Sequence, residues 1–414
     1  MPELHGQSQR SAWAANVRLY YAFRFLVNFQ FWQAIWVVYL DEARGLSLTQ
    51  ITALDAPFWL AMVLLEVPTG AIADRWGRRI SLNLGAAVLT VAIFTFAIAD
   101  TYWLLLVSYL AWAVAYTLFS GADAAFIYDS LKQAGREREY QRVWGRCQAI
   151  GSAGVLLGML TGPPFAAATN LWVPIAVSAL ITAAAWLVTL RFVEPPRHLD
   201  GHEPLGYFAG VRRAAGIVHA DAPLRWFMLL AALVMSIAVS IGILMQPFLK
   251  SHDVDTAMLG VFQVPGNLIG IFAAVHAYRL SAAFGTKGVM IFMPASVLLA
   301  AGLLGAVDSL WAIVFYPLCS AVVALSFPIV SDYLNRRIPS AQRATILSMY
   351  QLLFSLLIAG VEPALGAIGD AAGLPAAYRS AAIALALCAP PLLLLWLRAG
   401  RREPLPASAA AGGP

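Results

Sequence analysis

The feature that most constrains this chain is a succession of twelve apolar segments, each about 20 or more residues long, separated by short polar stretches. A helix needs about 20 apolar residues to cross a bilayer, whereas a strand of a membrane barrel needs about 10 with alternating polarity. The lengths therefore predict an all-α integral membrane protein with twelve transmembrane helices. We place these spans at 17–40, 50–73, 80–99, 102–131, 142–166, 172–193, 224–249, 257–280, 287–306, 309–335, 343–368 and 377–398.

Composition excludes several classes of protein. Hydrophobic residues make up 60% of the chain and charged residues 12%, about half the charged fraction typical of soluble proteins. A soluble enzyme, a nucleic-acid-binding protein or a disordered scaffold is therefore excluded as the main body. Cys147, Cys319 and Cys388 lie in apolar segments without the spacing of a disulfide framework, and we expect neither a metal nor a cofactor. The sequence has no Walker-type phosphate loop, so ATP is not expected to drive the protein directly.

The distribution of positive charge predicts the orientation. If the N-terminus is cytoplasmic, 23 of the 27 Lys and Arg residues fall in inner loops or at inner helix edges. Arg44, Lys250 and Arg379 remain outside, and Arg24 lies within the first span. The positive-inside rule thus favours a multi-pass protein with both termini in the cytoplasm. The residues before Asn16 are polar and lack the apolar core of a signal peptide, so we expect no cleavage.

The longest polar stretch lies between the sixth and seventh spans and divides the chain into two halves of six helices. In its second part, Leu205 to Val218 combine apolar side chains with Arg212 and Arg213, which predicts an amphipathic helix on the inner leaflet. Two six-helix pseudo-repeats are a common transporter architecture. The predicted domains are a first bundle at 1–193, a cytoplasmic linker at 194–223, a second bundle at 224–400 and a flexible tail at 401–414.

The loop after the second span carries the most specific motif in the chain. It reads Gly70-Ala-Ile-Ala-Asp74-Arg75-Trp-Gly77-Arg78-Arg79, in which Gly77 permits a tight turn. This loop resembles the signature G-x-x-x-D-R-x-G-R-R of the major facilitator superfamily. The resemblance implies a charge latch that holds the cytoplasmic side closed, with Arg78 or Arg79 paired to an aspartate at the end of the fourth span. The alternative is that these arginines only anchor the topology. The predicted latch residues are Asp74, Arg75, Gly77, Arg78, Arg79 and Asp129.

A second motif lies in the fifth span, where Gly151, Gly158, Gly162 and Pro163 follow one another on a helix. Small residues at such spacing let two helix backbones approach closely, and the Gly-Pro pair can bend the span. The pattern resembles the antiporter signature of the same superfamily, G-x6-G-x3-G-P-x2-G-G, with alanines in place of the last two glycines. It favours the twelve-span drug–proton antiporter branch, and ordinary helix packing is the alternative.

Few charges lie inside the spans, and each is a candidate for function because a charge near the bilayer centre costs about 2.5–3.5 kcal/mol. Arg24 needs a carboxylate nearby, and Asp123 and Glu66 are its candidate partners. The resemblance makes Asp123 the first choice for proton coupling, because the fourth span lines the cavity in this superfamily; Glu66 is the second choice. A static ion pair is the alternative reading. Asp55 and Glu362 lie in outer portions of spans and receive no role.

The fourth span departs from the superfamily pattern in one respect. Proton-coupled exporters of this kind commonly carry an arginine there, whereas residues 113–121 of this chain contain no basic side chain. Either another arginine takes part in coupling, or coupling is absent.

Aromatic and amide side chains in the first, seventh and eighth spans are candidates for the substrate cavity. Such side chains suit bulky amphiphilic molecules, including cations, although aromatic residues in spans often face lipid instead. The candidates are Asn28, Phe29, Trp32, Gln33, Trp36, Gln246 and Gln263.

Together these features predict a monomeric secondary transporter in the plasma membrane, the inner membrane of a bacterium. It would export a small hydrophobic or amphiphilic molecule by alternating access in exchange for protons. Its partners are thus a small-molecule substrate, protons and the lipid bilayer. Import of a nutrient by proton symport or facilitated diffusion is the alternative. A membrane enzyme or receptor is a third reading, but the sequence has no clustered catalytic set, and we predict that the protein is not an enzyme.

Overall fold

A computed structural model describes residues 2–196 and 207–402, and within these ranges the chain forms helices and no strands. Below, inner and outer refer to the predicted cytoplasmic and external ends of the spans. The first eight α-helices are α1 (Pro2–Asn28), α2 (Trp36–Val38), α3 (Leu48–Trp76), α4 (Arg78–Ile98), α5 (Tyr102–Ser120), α6 (Asp123–Gln133), α7 (Tyr140–Ala168) and α8 (Trp172–Thr189). The remaining seven are α9 (Tyr207–Ala220), α10 (Ala222–Ile243), α11 (Met245–Ser251), α12 (Leu259–Ala306), α13 (Tyr316–Arg337), α14 (Ser340–Ala372) and α15 (Leu374–Arg402).

Ten helical segments of the described chain are long and apolar enough to cross a membrane. One of them, Thr256–Ala306, contains both the eighth and the ninth predicted spans and turns at Gly285. Gly285 has a φ of 64°, and Gly77, which separates α3 from α4, has a φ of 119°. Glycine adopts such angles without a steric penalty, so both halves use a glycine to turn between their second and third spans. The all-helical membrane fold is confirmed, while the count of twelve helices stays a prediction.

The first predicted span is not one continuous helix, so the prediction of an unbroken helix over 17–40 is wrong. α1 ends at Asn28, and α2 begins only at Trp36. Side-chain amides donate to backbone carbonyls that would accept backbone N–H groups in a continuous helix. The amide of Gln30 donates to the carbonyl of Leu26 at 2.9 Å, and the amide of Gln33 donates to the carbonyl of Asn28 at 2.9 Å. These local amide bonds satisfy backbone groups and compete with the regular helix.

The fourth predicted span is also broken. α5 ends at Ser120 and α6 begins at Asp123, so that Asp123 occupies the first turn of a new helix. A carboxylate at that position interacts favourably with the positive end of the helix dipole. Below this break, the rings of Phe126 and Phe192 pack at a centroid distance of 4.8 Å, next to the fully buried Tyr20. This aromatic cluster fixes α1, α6 and the end of the sixth span against one another.

The chain divides into two compact units. One comprises Met1–Glu203 and Ile243–Asn267, and the other comprises Pro204–Gly242 and Leu268–Pro414. The outer ends of the seventh and eighth predicted spans therefore belong to the unit that holds the first six.

The described part of the predicted linker begins with α9, which packs against α14 in the second unit. Asp221, directly after α9, accepts a hydrogen bond from Nε of Arg337 at 2.6 Å. Residues 197–206 of the linker and 403–414 of the tail lie outside the described residues.

Candidate functional site

The structure pairs Arg24 with Asp123. Nη1 of Arg24 on α1 lies 3.5 Å from Oδ2 of Asp123 at the start of α6, and the two side chains are 23% and 13% exposed. Nη2 of Arg24 also donates to Oε1 of Gln148 on α7 at 3.2 Å, and the phenol of Tyr20 adjoins Asp123. Three helices thus meet at one charged cluster, which we call the Arg24–Asp123 cluster.

Glu66 does not join this cluster. Its side chain is exposed on α3, and the structure pairs Arg24 with Asp123 and not with Glu66. The missing arginine of the fourth span also has a counterpart here, since Arg24 places a guanidinium beside the fourth span from the first.

The Arg24–Asp123 cluster is incompletely hydrogen-bonded. Oδ1 of Asp123 and Nε of Arg24 are buried, and neither has a hydrogen-bond partner among the described residues. Leaving a buried polar group unsatisfied costs about 1–3 kcal/mol, more for a charged group. Such a cluster can lower its energy by gaining a proton, a water molecule or a new partner.

Sequence reasoning missed two members of the cluster. Tyr20 precedes Arg24 by one helical turn, and Gln148 precedes Gly151 of the span-five motif by nearly one turn. This helical spacing, which places each residue on the same face as a residue already singled out, could have identified both.

At the inner end of the first unit, Arg78 forms an ion pair with Asp129 on α6. Nη1 of Arg78 also donates to the carbonyl of Ala125 at 3.2 Å, and Nη2 of Arg79 donates to the carbonyl of Leu190 at 3.1 Å. The loop motif is therefore anchored to the fourth and sixth spans.

The other residues of the motif precede the turn at Gly77. The side chains of Asp74 and Arg75 are exposed there. The latch role of all these residues stays a prediction.

Two residues that the sequence analysis did not single out complete the inner end. The carboxylate of Glu194 accepts the backbone N–H groups of Arg78 at 2.9 Å and Arg79 at 2.8 Å, at the N-terminus of α4. Asn16, which is fully buried, donates to the carbonyl of Val193 at 2.8 Å and accepts its N–H at 2.9 Å. The sequence could have indicated Glu194, because this carboxylate directly follows the sixth span and lies on the same predicted side of the membrane as the loop motif.

The glycines of the span-five motif face the break in the first span. A Cβ atom at Gly158 or Gly162 would overlap the backbone carbonyls of Gln30 and Phe31, so both positions require glycine. The same helix face brings Gly151 close to the Arg24–Asp123 cluster, since a Cβ atom there would lie 3.5 Å from Nε of Arg24. The motif therefore permits close packing between α7 and the irregular backbone that follows α1.

The four amide candidates for the substrate cavity all form hydrogen bonds to backbone, and their role in a cavity stays a prediction. Oε1 of Gln246 accepts the N–H of Val37 at 3.0 Å, and Nε2 of Gln263 donates to the carbonyl of Ala34 at 3.0 Å. Gln33 and Asn28 likewise donate to backbone carbonyls, at 2.9 and 2.8 Å. These amides brace the broken first span.

The aromatic candidates divide into two groups. Phe29 stacks on Phe25 at a centroid distance of 5.4 Å, whereas Trp32 and Trp36 line a cavity of about 170 Å³ within the first unit. We call this cavity the Asp55 cavity, since one carboxylate contributes to its wall. Its lining residues are Trp32, Trp36, Asp55, Phe58, Tyr109, Trp112 and Tyr116. Glu362, the other acidic residue without a predicted role, is buried in α14 of the second unit.

Known proteins resemble this chain in sequence. A family model described as Major Facilitator Superfamily matches residues 19–361. The chain is 23% identical over 371 residues to the uncharacterized MFS-type transporter YxaM of Bacillus subtilis (strain 168), covering 85% of this chain and 88% of that protein. It is 27% identical over 176 residues to multidrug resistance protein 1 of the same organism, covering 41% of this chain and 42% of that protein.

Solved structures show the same fold. The nucleoside transporter NupG superposes with a TM-score of 0.75 at 14% identity, covering 95% of this chain and 100% of that chain. A bacterial homolog of the human lysosomal transporter Spinster, in an inward-facing and unoccupied conformation, superposes with a TM-score of 0.68 at 17% identity, covering 95% of this chain and 97% of that chain. At these identities the likeness concerns the fold alone.

Proposed function

The chain belongs to the Major Facilitator Superfamily, and from this premise we propose that it exports a small hydrophobic or amphiphilic molecule in exchange for protons. Members of this family are transporters of small molecules and are not enzymes. The proposal places the protein in the plasma membrane, or the inner membrane of a bacterium, with both termini in the cytoplasm. The two halves would alternate in exposing the substrate to either side.

The observation that carries the proposal is the Arg24–Asp123 cluster. Proton coupling needs a carboxylate that is charged in one conformation and protonated in another, and a nearby guanidinium favours the charged form while desolvation disfavours it. Asp123 has both influences, because Arg24 lies 3.5 Å away and the carboxylate is 13% exposed. A movement of α1 relative to α6 would change the distance to Arg24 and thus the proton affinity. Glu66 remains the second candidate, although no arginine forms an ion pair with it among the described residues.

Export is favoured over import by one relative. That relative is named multidrug resistance protein 1, and the match covers 41% of this chain. The span-five glycines, which resemble the antiporter signature, point in the same direction. Import by symport is the second candidate, because the nucleoside transporter NupG has the same fold and the same cluster would serve either direction.

Transport in reconstituted vesicles tests the proposal. One proton that enters down a potential of 100 mV supplies about 2.3 kcal/mol, which supports about a 50-fold gradient of a neutral substrate. Asp123→Asn should abolish accumulation of substrate against a gradient while downhill exchange persists, because the neutral amide cannot carry a proton. Glu66→Gln should leave accumulation nearly intact. If both variants accumulate substrate with normal proton dependence, Asp123 does not couple transport.

A further inference from the structure

The Asp55 cavity combines one carboxylate with several aromatic faces. Asp55 lies about two turns from the outer end of α3, and Trp32, Trp112 and Tyr109 bring rings from the first and fourth spans. Among the described residues, none forms an ion pair with Asp55. A charged carboxylate in a membrane span without a basic partner is costly, and a bound cation would offset that cost.

The rings that line the cavity pack against one another edge to face. Trp32 and Trp112 meet edge to face at a centroid distance of 4.7 Å and an interplanar angle of 80°. Phe58 meets Tyr109 at 6.4 Å and 85° in the same manner. Each ring is thus held by another, and Trp112 and Tyr109 are only 7% and 8% exposed. A rigid group of rings needs little ordering when a ligand binds.

We infer that the Asp55 cavity binds the cationic head group of an organic monocation, such as a quaternary ammonium group. Asp55 would neutralise the charge, and the ring faces would replace its hydration shell through cation–π contacts. The volume of about 170 Å³ fits a single head group or ring, since an engineered cavity of about 150 Å³ holds benzene. The rest of an amphiphilic substrate must lie outside this cavity.

This inference rests on the proposed function, because it names the charge class of the substrate. It predicts that the Asp55 cavity binds a cation more tightly than a neutral molecule of the same shape. The site does not overlap the Arg24–Asp123 cluster, since none of the residues that line the cavity belongs to that cluster. Substrate binding and proton coupling can therefore be tested separately.

Equilibrium binding of labelled benzyltrimethylammonium to the purified full-length protein in lipid nanodiscs tests the inference. Asp55→Asn should weaken binding at least about tenfold, and Trp112→Leu should weaken it about three- to thirtyfold. Matched controls outside the cavity are Asp100→Asn, in the exposed turn before α5, and Trp103→Leu, whose side chain is 73% exposed. Both controls should bind as the parent protein does.

A competition measurement on the unmodified protein keeps the test decisive if Asp55→Asn fails to fold. 2,2-Dimethylpropylbenzene replaces the ammonium nitrogen by carbon and keeps the shape, so it should compete at least about tenfold more weakly than the unlabelled cation. Equal competition, or unchanged binding in Asp55→Asn and Trp112→Leu, would overturn the inference. Because binding is measured without a gradient, a failure of proton coupling in the transport assay would not contradict these results.

Discussion

At the scale of single residues, the inner end of the first unit depends on charges that satisfy backbone as well as side chains. Glu194 accepts two N–H groups at the N-terminus of α4, where the first N–H groups of a helix have no partner within the helix. Since the loop signature continues directly into α4, Glu194 holds the backbone from which the Arg78 side chain reaches Asp129. A carboxylate at the beginning of the linker is thus part of the loop motif in space.

We expect Glu194→Gln to destabilise the protein by about 1 kcal/mol, because an amide oxygen is a weaker acceptor than a carboxylate at a helix N-terminus. The thermal denaturation midpoint of the detergent-solubilised protein, measured at one scan rate, should fall. Glu139→Gln is the matched control, since Glu139 pairs with Arg136 at an exposed position where such pairs contribute little. An equal fall in both variants would contradict a specific role for Glu194.

At the scale of elements, the sequence predicts membrane helices well and their interruptions poorly. Hydropathy places the apolar segment 17–40 correctly but gives no sign that it breaks after Asn28. The break depends on amides such as Gln30 that bond to backbone carbonyls and on the N–H of Phe31, which donates to Ser178 on α8 at 2.9 Å. Such a partner comes from a residue 147 positions away and cannot be read from local pattern. The glycine spacing did predict a close approach on α7, but not its partner.

Two glycines of α7 should therefore respond differently to the same substitution. Gly158→Ala should destabilise the protein by about 1–3 kcal/mol, because the new Cβ atom overlaps the backbone of Gln30. Gly145→Ala, with nothing within 4 Å of its Cβ position, should be neutral or stabilising by up to about 1 kcal/mol. Thermal denaturation of both variants measures the difference. Equal stability of the two would show that the close packing of α7 on residues 28–31 is absent in the membrane.

At the scale of the whole molecule, charge distribution and motifs predict the family, the membrane fold and a division into halves, but not which outer ends pack together. Residues 243–267 come from the second predicted half and belong to the first unit. Nζ of Lys250 lies 3.1 Å from Oε1 of Glu42, and Gly260 packs against the carbonyl of Met159. These contacts connect residues far apart in sequence, and hydrophobic periodicity carries no information on such pairing.

Under the alternating access proposed above, we expect these outer contacts to separate when the outer side opens. The amides of Gln246 and Gln263 contribute by bonding to backbone at Val37 and Ala34. Loss of one buried hydrogen bond costs about 1 kcal/mol, which changes the ratio of two conformations about fivefold. Gln246→Leu or Gln263→Leu should therefore increase the population with an open outer side.

A thiol at the fully buried position Ala34 reports on that population. In a Cys388→Ser background, which removes the exposed native thiol, Ala34→Cys should react slowly with a membrane-impermeant maleimide added from outside. Adding Gln246→Leu or Gln263→Leu should accelerate the reaction about fivefold, whereas Gln133→Leu at the inner end of α6 should leave its rate unchanged. Unaltered labelling in both outer variants would mean that these amides brace the first span without stabilising the closed outer side.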